Sequence, residues 1–278
     1  MPFVTTPRGK FFYQEHGSIG PVIYLLHGLT ARSQDWGGIQ DILAKVGFHV
    51  LAFDMKGHGQ TDKPESGYST EDHAKDIEAC AKALGHTRVH LVGHSTGGRN
   101  ALVCAALFPD LTWTLTIIDQ TLTADPKAWE KYAVRFKEFP TPFKNEEALD
   151  KFVMKKAKKD MGAFHFFKGQ YWKKDDGTWD WNYSTQAVVE TQKWGRAKEA
   201  YDWLPQVKCP ALFIKGGLSE YVSMEEAERI EKGLPNGRVI IVPNAGHAVF
   251  RDDAEGFLRV LVPFLLRESQ GKLFVPED

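Results

Sequence analysis

Residues 91–98 read Leu91-Val92-Gly93-His94-Ser95-Thr96-Gly97-Gly98, and the reading of this stretch decides the fold. Just before and into it, Val89-His90-Leu91-Val92 is a mostly apolar run of strand length. After it, residues 99–107 have the alanine- and leucine-rich composition of a helix. A serine between two glycines at a strand-to-helix junction is the G-x-S-x-G nucleophile elbow. The glycines answer a steric demand. So sharp a turn leaves no room for side chains at Gly93 and Gly97, and it holds Ser95 strained and exposed. The helix opening at Thr96 then aims free N–H groups and a positive dipole end at whatever the serine attacks. With 25 glycines and nine serines in 278 residues, random order yields about 0.07 such patterns per chain. Chance is the weaker explanation.

The same alternation of strand and helix extends outward from this point. Upstream, residues 3–6 and 10–16 read as a hairpin turned by Pro7-Arg8-Gly9. Val22-Ile23-Tyr24-Leu25-Leu26 is a continuous apolar run, the mark of a buried parallel strand, and it ends in His27-Gly28-Leu29-Thr30. Ser33 is placed to cap a helix through Trp36, Ile39, Ile42 and Leu43 to a stop at Gly47. A second buried strand, residues 49–53, ends in Asp54-Met55-Lys56-Gly57-His58-Gly59. Ser69-Thr70-Glu71-Asp72 opens a helix that Gly85 closes. Downstream, residues 111–118 form a strand ending at Asp119.

From about residue 121 to 205 the alternation stops. Lysine- and aromatic-rich helices are expected at 128–138, 145–159 and 185–196, and six of the eight tryptophans fall here. This segment has its own packing requirement and reads as an inserted cap. Alternation resumes with the strand at 211–214, a helix at 224–232, the strand at 238–242 and a helix at 253–266; residues 268–278 read as a polar tail. The domain expectation is a core of residues 1–120 and 206–278 with a helical cap at 121–205.

Composition narrows the class. The hydrophobic share is 42%, the charged share 26% and the net charge −1, ordinary globular values that give no electrostatic pull toward nucleic acid or anionic membrane. Cys80, Cys104 and Cys209 are far apart with no C-x-x-C, which argues against disulfides and zinc. Residues 1–10 lack a basic-then-apolar leader and no apolar run nears the ~18 residues of a membrane span. A cytoplasmic monomer or homodimer is expected.

Doubly wound sheets place their sites at the carboxyl ends of strands, where His27-Gly28, Asp54, Ser95, Asp119, Gly216 and His247 all fall. A hydroxyl is a poor nucleophile until a base takes its proton, and the base needs an acid to fix its tautomer. His247 suits the base because it follows the last strand, in the chain order Ser, acid, His. His94 is expected to point away from the substrate, His27 and His58 to act as struts, and His165, in the cap, to have an orienting or plain packing role.

Taken together, His27-Gly28, Asp54-x-x-Gly57-His58-Gly59, Gly93-His94-Ser95-Thr96-Gly97-Gly98 and Gly246-His247 resemble the α/β-hydrolase superfamily across nearly all of the chain outside the cap. The elbow wording is similar to serine esterases and to cofactor-free haloperoxidases. The resemblance implies an α/β fold with a doubly wound, mostly parallel eight-stranded sheet and a helical cap inserted after strand six. It also implies an oxyanion hole from the backbone N–H groups of Leu29 and Thr96. In most relatives the acid lies three residues beyond the glycine ending strand seven. Here that place, counted from Gly216, holds Ser219, which cannot act as a carboxylate. Asp119, at the end of strand six, is the acid used by some superfamily esterases and is preferred; Glu220, displaced by one residue, is the alternative.

The expected activity is hydrolysis of a small, largely apolar carboxylic ester through an acyl-enzyme on Ser95, with Asp119 and His247 completing the triad and no cofactor or metal. Ser95 itself excludes the elbow-aspartate chemistries of haloalkane dehalogenases and epoxide hydrolases. Lactone hydrolysis, perhydrolysis of the haloperoxidase type, C–C bond hydrolysis and a ligand-binding receptor on the same fold are the alternatives.

Overall fold

The structure, a computed structural model, describes residues 2–269, apart from the side chain of Phe166. In chain order the elements begin with β1 (Phe3–Thr6), β2 (Gly9–His16), β3 (Val22–Leu26), α1 (Ile39–Lys45), β4 (His49–Phe53) and α2 (Thr70–Ala83). The elbow follows as β5 (Val89–His94) and α3 (Thr96–Leu107), then β6 (Thr112–Ile118). The intervening segment holds α4 (Ala128–Glu138), α5 (Glu146–Lys156), α6 (Met161–Lys168), β7 (Tyr171–Lys173), β8 (Trp179–Trp181) and α7 (Thr185–Gly195). The chain closes with β9 (Ala211–Gly216), α8 (Met224–Gly233), β10 (Gly237–Val242), α9 (Val249–Asp252) and α10 (Ala254–Glu268).

Eight strands form one sheet in the order β1-β2-β4-β3-β5-β6-β9-β10. Only β1–β2 and β2–β4 pair antiparallel; every other neighbour is parallel. Parallel strands are buried on both faces, which is why β3, β4 and β5 are nearly continuous in apolar residues. Their alternate side chains feed two cores. Tyr24, Leu26, Leu91 and Phe213 pack with Ala74 and Ile77 of α2, Leu102 of α3 and Ile230 of α8. Ile23, Leu25, Val92 and Ile214 pack with Leu43 of α1 and Phe257, Leu261 and Phe264 of α10. A doubly wound sheet results, and it puts the carboxyl ends of β3, β5, β6 and β9 along one edge.

Several local expectations need correction. The helix anticipated from Ser33 to Gly47 is broken: a 3-10 turn at Ser33–Trp36 is followed by Gly37, at φ 62°, before α1 begins at Ile39. Two successive glycines cost a helix about 1 kcal/mol each relative to alanine, enough to divide a segment this short. Ile39 and Leu43 of α1 are buried, whereas Ile42 is 40% exposed. The helix at 253–266 is preceded by the separate turn α9, because Asp253 leaves the helical conformation to cap α10 through Gly256 N. The tail expected from residue 268 lies, from residue 270 on, outside the described residues.

Residues 121–205 are less purely helical than their composition suggests. α6 and the hairpin β7–β8 both occur there, the hairpin turning through Asp175-Asp176-Gly177 with Gly177 at φ 82°. The segment has a hydrophobic cluster of its own, including Phe139, Leu149, Val153, Tyr171, Trp181 and Tyr183. Trp181 stacks on Tyr171 at 4.2 Å and on Tyr183 at 5.3 Å. Leu29, from the loop after β3, packs against this cluster and joins it to the sheet edge.

Candidate active site

Ser95 sits between β5 and α3 with φ 52° and ψ −126°, a conformation that a residue with a side chain rarely adopts. What holds it there is close backbone approach on either side. A Cβ on Gly93 would lie 2.3 Å from Gly97 O, and one on Gly97 would lie 2.2 Å from Leu26 O. The backbone is pinned further by Ser95 N–H donating to Ile118 O at 2.9 Å.

Asp119, the first residue beyond β6, is also strained, with φ 46°, and fully buried. Its carboxylate is held on three sides. Gly216 N–H donates to Oδ1 at 3.0 Å, while Ser219 Oγ–H at 2.5 Å and His247 Nδ1 at 2.7 Å meet at Oδ2. A buried carboxylate is stable only when paired and hydrogen-bonded in this way. The acceptor at Nδ1 also sets the tautomer: the imidazole proton faces Asp119 and leaves Nε2 as the free base. Ser219, three residues beyond Gly216, thus donates to the Asp119 carboxylate. Glu220 is exposed, and His247 is bonded to Asp119.

His247 lies on the loop between β10 and α9, 38% exposed at its side chain. Gly246 N–H donates to Asp252 Oδ2 at 2.9 Å, and the Tyr221 ring lies 4.4 Å from the imidazole. Ser95 and His247 open on one cavity of about 400 Å³. Its walls include Leu29, Trp36, Tyr132, Tyr221 and Phe250, with the charged groups Asp35, Arg135 and Arg251. Burial raises the Asp35 carboxyl above its ordinary range, and burial of the Tyr132 phenol pushes it up to about 12. From residues 121–205 the lining takes Tyr132, Arg135, His165, Gly169 and Gln170; the tryptophans of that segment stay away from it. Arg135 donates to Gln170 Oε1 at 2.7 Å, tying two of these lining residues together.

The residues flanking the serine divide by role. His27 Nε2 accepts from Met55 N–H at 2.9 Å, and His58 Nε2 accepts from Thr30 N–H at 3.3 Å. Burial pushes these imidazoles down to about 4 and about 3, so both are neutral struts. Asp54 accepts from Ser33 N and Gln60 N and braces two loops. Leu29 lines the cavity, and Thr96 is the first residue of α3, so its amide precedes the intrahelical ladder. Among the described residues no group of histidine, cysteine and carboxylate side chains could hold a metal ion, and no helix is long and apolar enough to cross a membrane.

One expectation about this region fails. His94 does not point away from the cavity but lines it, its Nε2 2.9 Å from His247 O. His94 keeps the alternation of β5, on the face of Val92, and there the Phe250 ring packs edge-on against it at 5.1 Å.

This chain resembles the 2-(acetamidomethylene)succinate hydrolase of Mesorhizobium japonicum, with 28% identity over 91% of this chain and 90% of that protein. A crystal structure of E-2-(acetamidomethylene)succinate hydrolase superposes with a TM-score of 0.81, covering 95% of this chain and 97% of that one. The N-formylmaleamate deformylase of Pseudomonas putida is 25% identical over 91% of each chain. An enol-lactonase of Burkholderia xenovorans, 19% identical with a TM-score of 0.76 over 95% of this chain and 99% of that one, shares the fold. The family model of the alpha/beta hydrolase fold matches residues 21–254. The chain belongs to the α/β-hydrolase family.

Proposed function

We propose that the chain is a serine hydrolase of small carboxylic-acid derivatives, with esters as the first class. The observation that carries this reading is the 2.7 Å hydrogen bond from His247 to the buried Asp119, in a cavity that Ser95 shares. His247 Nε2 takes the Ser95 hydroxyl proton as Oγ bonds to the substrate carbonyl carbon. The tetrahedral oxyanion is held by the Leu29 and Thr96 N–H groups; one such donor typically contributes about 3 kcal/mol in the transition state. Collapse breaks the bond to the leaving group, which departs with the proton from His247. Water then attacks the acyl-enzyme carbonyl, passes its proton to His247, and leaves the acid and free Ser95.

A specific observation favours a second reading, hydrolysis of an N-acyl group on a small organic acid. Arg135 and Arg251 both face the cavity, and a guanidinium is suited to a carboxylate. The names of two relatives, an acetamidomethylene succinate hydrolase and an N-formylmaleamate deformylase, denote acids of that kind. A panel of p-nitrophenyl esters, lactones and N-acyl amides of dicarboxylic acids, with and without Ser95→Ala, tests both. Multiple turnover of one class, abolished by Ser95→Ala, supports the proposal; turnover that survives the substitution overturns it.

A further inference from the structure

We propose that His94 is a positioning residue, which sets the place of the His247 imidazole by holding its backbone carbonyl. The inference rests on the Ser95–His247–Asp119 reading and deepens it. His94 is 7% exposed, and burial pushes it down to about 3, so its ring is neutral. A carbonyl can only accept, so the proton of this neutral ring is on Nε2, which donates to His247 O at 2.9 Å. The imidazole rings of His94 and His247 lie 4.7 Å apart, and the Phe250 ring packs edge-on against His94 at 5.1 Å. On its other side, a Cβ built on Gly28 would lie 3.0 Å from His94 Nδ1.

One side chain therefore touches the loop carrying the proposed oxyanion donor Leu29, adjoins the nucleophile in sequence, and bonds the loop carrying the base. The flanking residues of the His247 loop are tied by Gly246 N–H to Asp252, Leu218 N–H to Ala245 O at 2.9 Å, Ala245 N–H to Val242 O at 3.3 Å, and the Arg251 and Asp252 N–H groups to Ala248 O. The His247 side chain is fixed at Nδ1 by Asp119, but its main chain is fixed at the carbonyl by His94 alone among the described hydrogen bonds. With the carbonyl released, Nε2 is free to shift relative to Ser95 Oγ while the pocket that binds substrate stays as it is. The neutral state is part of the role, because a charged His94 would oppose the imidazolium that forms beside it.

The test is the rate of covalent labelling by a fluorophosphonate, separated into kinact and KI, with thermal unfolding of every variant. His94→Phe keeps the ring and removes the donor; His94→Gln restores an N–H near the place of Nε2. Misplacement of the base by about 1 Å predicts a kinact fall on the order of 10²-fold in His94→Phe, with KI nearly unchanged. His94→Gln recovers most of that loss. If His94→Phe does not fold, His94→Met takes its place under the same criteria. A folded donor-free variant with wild-type kinact, or a Gln variant as slow as Phe, overturns the proposal while Ser95→Ala still abolishes labelling. Labelling that survives Ser95→Ala overturns the triad reading and this inference with it.

Discussion

Replacing Asp119 with asparagine changes one atom in a fully buried site, and the surrounding hydrogen bonds dictate its effect. Gly216 N–H can only donate, so the new amide must present its oxygen there, where Oδ1 now accepts at 3.0 Å. Its NH₂ group is then turned toward His247 Nδ1 and Ser219 Oγ, the partners of Oδ2. A donor facing Nδ1 moves the imidazole proton to Nε2, toward Ser95, and the base is lost. The flipped amide restores an acceptor for His247 but sets NH₂ against the Gly216 N–H, a buried donor–donor contact. Either way the imidazolium formed in the reaction loses its compensating charge. The serine-protease aspartate gives the scale, about 10⁴-fold in kcat, or about 5.4 kcal/mol of barrier. Initial rates with p-nitrophenyl acetate measure it, next to Glu220→Gln, for which a rate close to wild type is expected because Glu220 is exposed. Asp119→Asn within tenfold of wild type, or a large loss in Glu220→Gln, would refute the assignment.

Ser219→Ala removes a 2.5 Å donor from the same carboxylate and leaves the charge less satisfied. A stability loss of about 1–3 kcal/mol is expected, with a smaller fall in kcat than for Asp119→Asn, read from urea unfolding and ester turnover. The histidines predict a response to acid. Burial holds His27 at about 4 and His58, His73, His90 and His94 at about 3. Below the ordinary imidazole range the unfolded chain binds protons that the folded chain refuses. Stability is therefore complete above about pH 6.5 and falls as pH drops toward 4, by up to about 1.4 kcal/mol per pH unit for each histidine. The raised carboxyls of Asp35, Asp54 and Asp76 oppose this only nearer the carboxylate range. Urea midpoints at pH 7 and pH 5 check it, and equal midpoints would contradict it.

The parts of this fold that sequence foretells are those whose physics is local. A serine between Gly93 and Gly97 is dictated by backbone clash within one turn, and the apolar runs of β3, β4 and β5 by burial on both faces. The pairing of Asp119 with His247 was legible because the third residue beyond Gly216 is Ser219, not a carboxylate, an absence visible in residue types alone. The partner of His94 was not, since it lies on a loop 153 residues away. The hairpin β7–β8 was also missed. Its strands are three residues each, too short for periodicity, and they are fixed by stacking of Tyr171 on Trp181 across the pair. The cavity's charged lining was hidden likewise, because Arg135 reaches it only through the packing of α4 against α7. Local rules place the reacting groups, and long-range packing shapes what they meet.

The central claim is that Ser95 is the nucleophile. Intact-protein mass spectrometry after fluorophosphonate treatment, followed by peptide mapping, tests it most directly. One adduct per chain is predicted, on the peptide containing Ser95, absent in Ser95→Ala and slowed in Asp119→Asn. An adduct on another residue, or a Ser95→Ala protein labelled as fast as wild type, would contradict it.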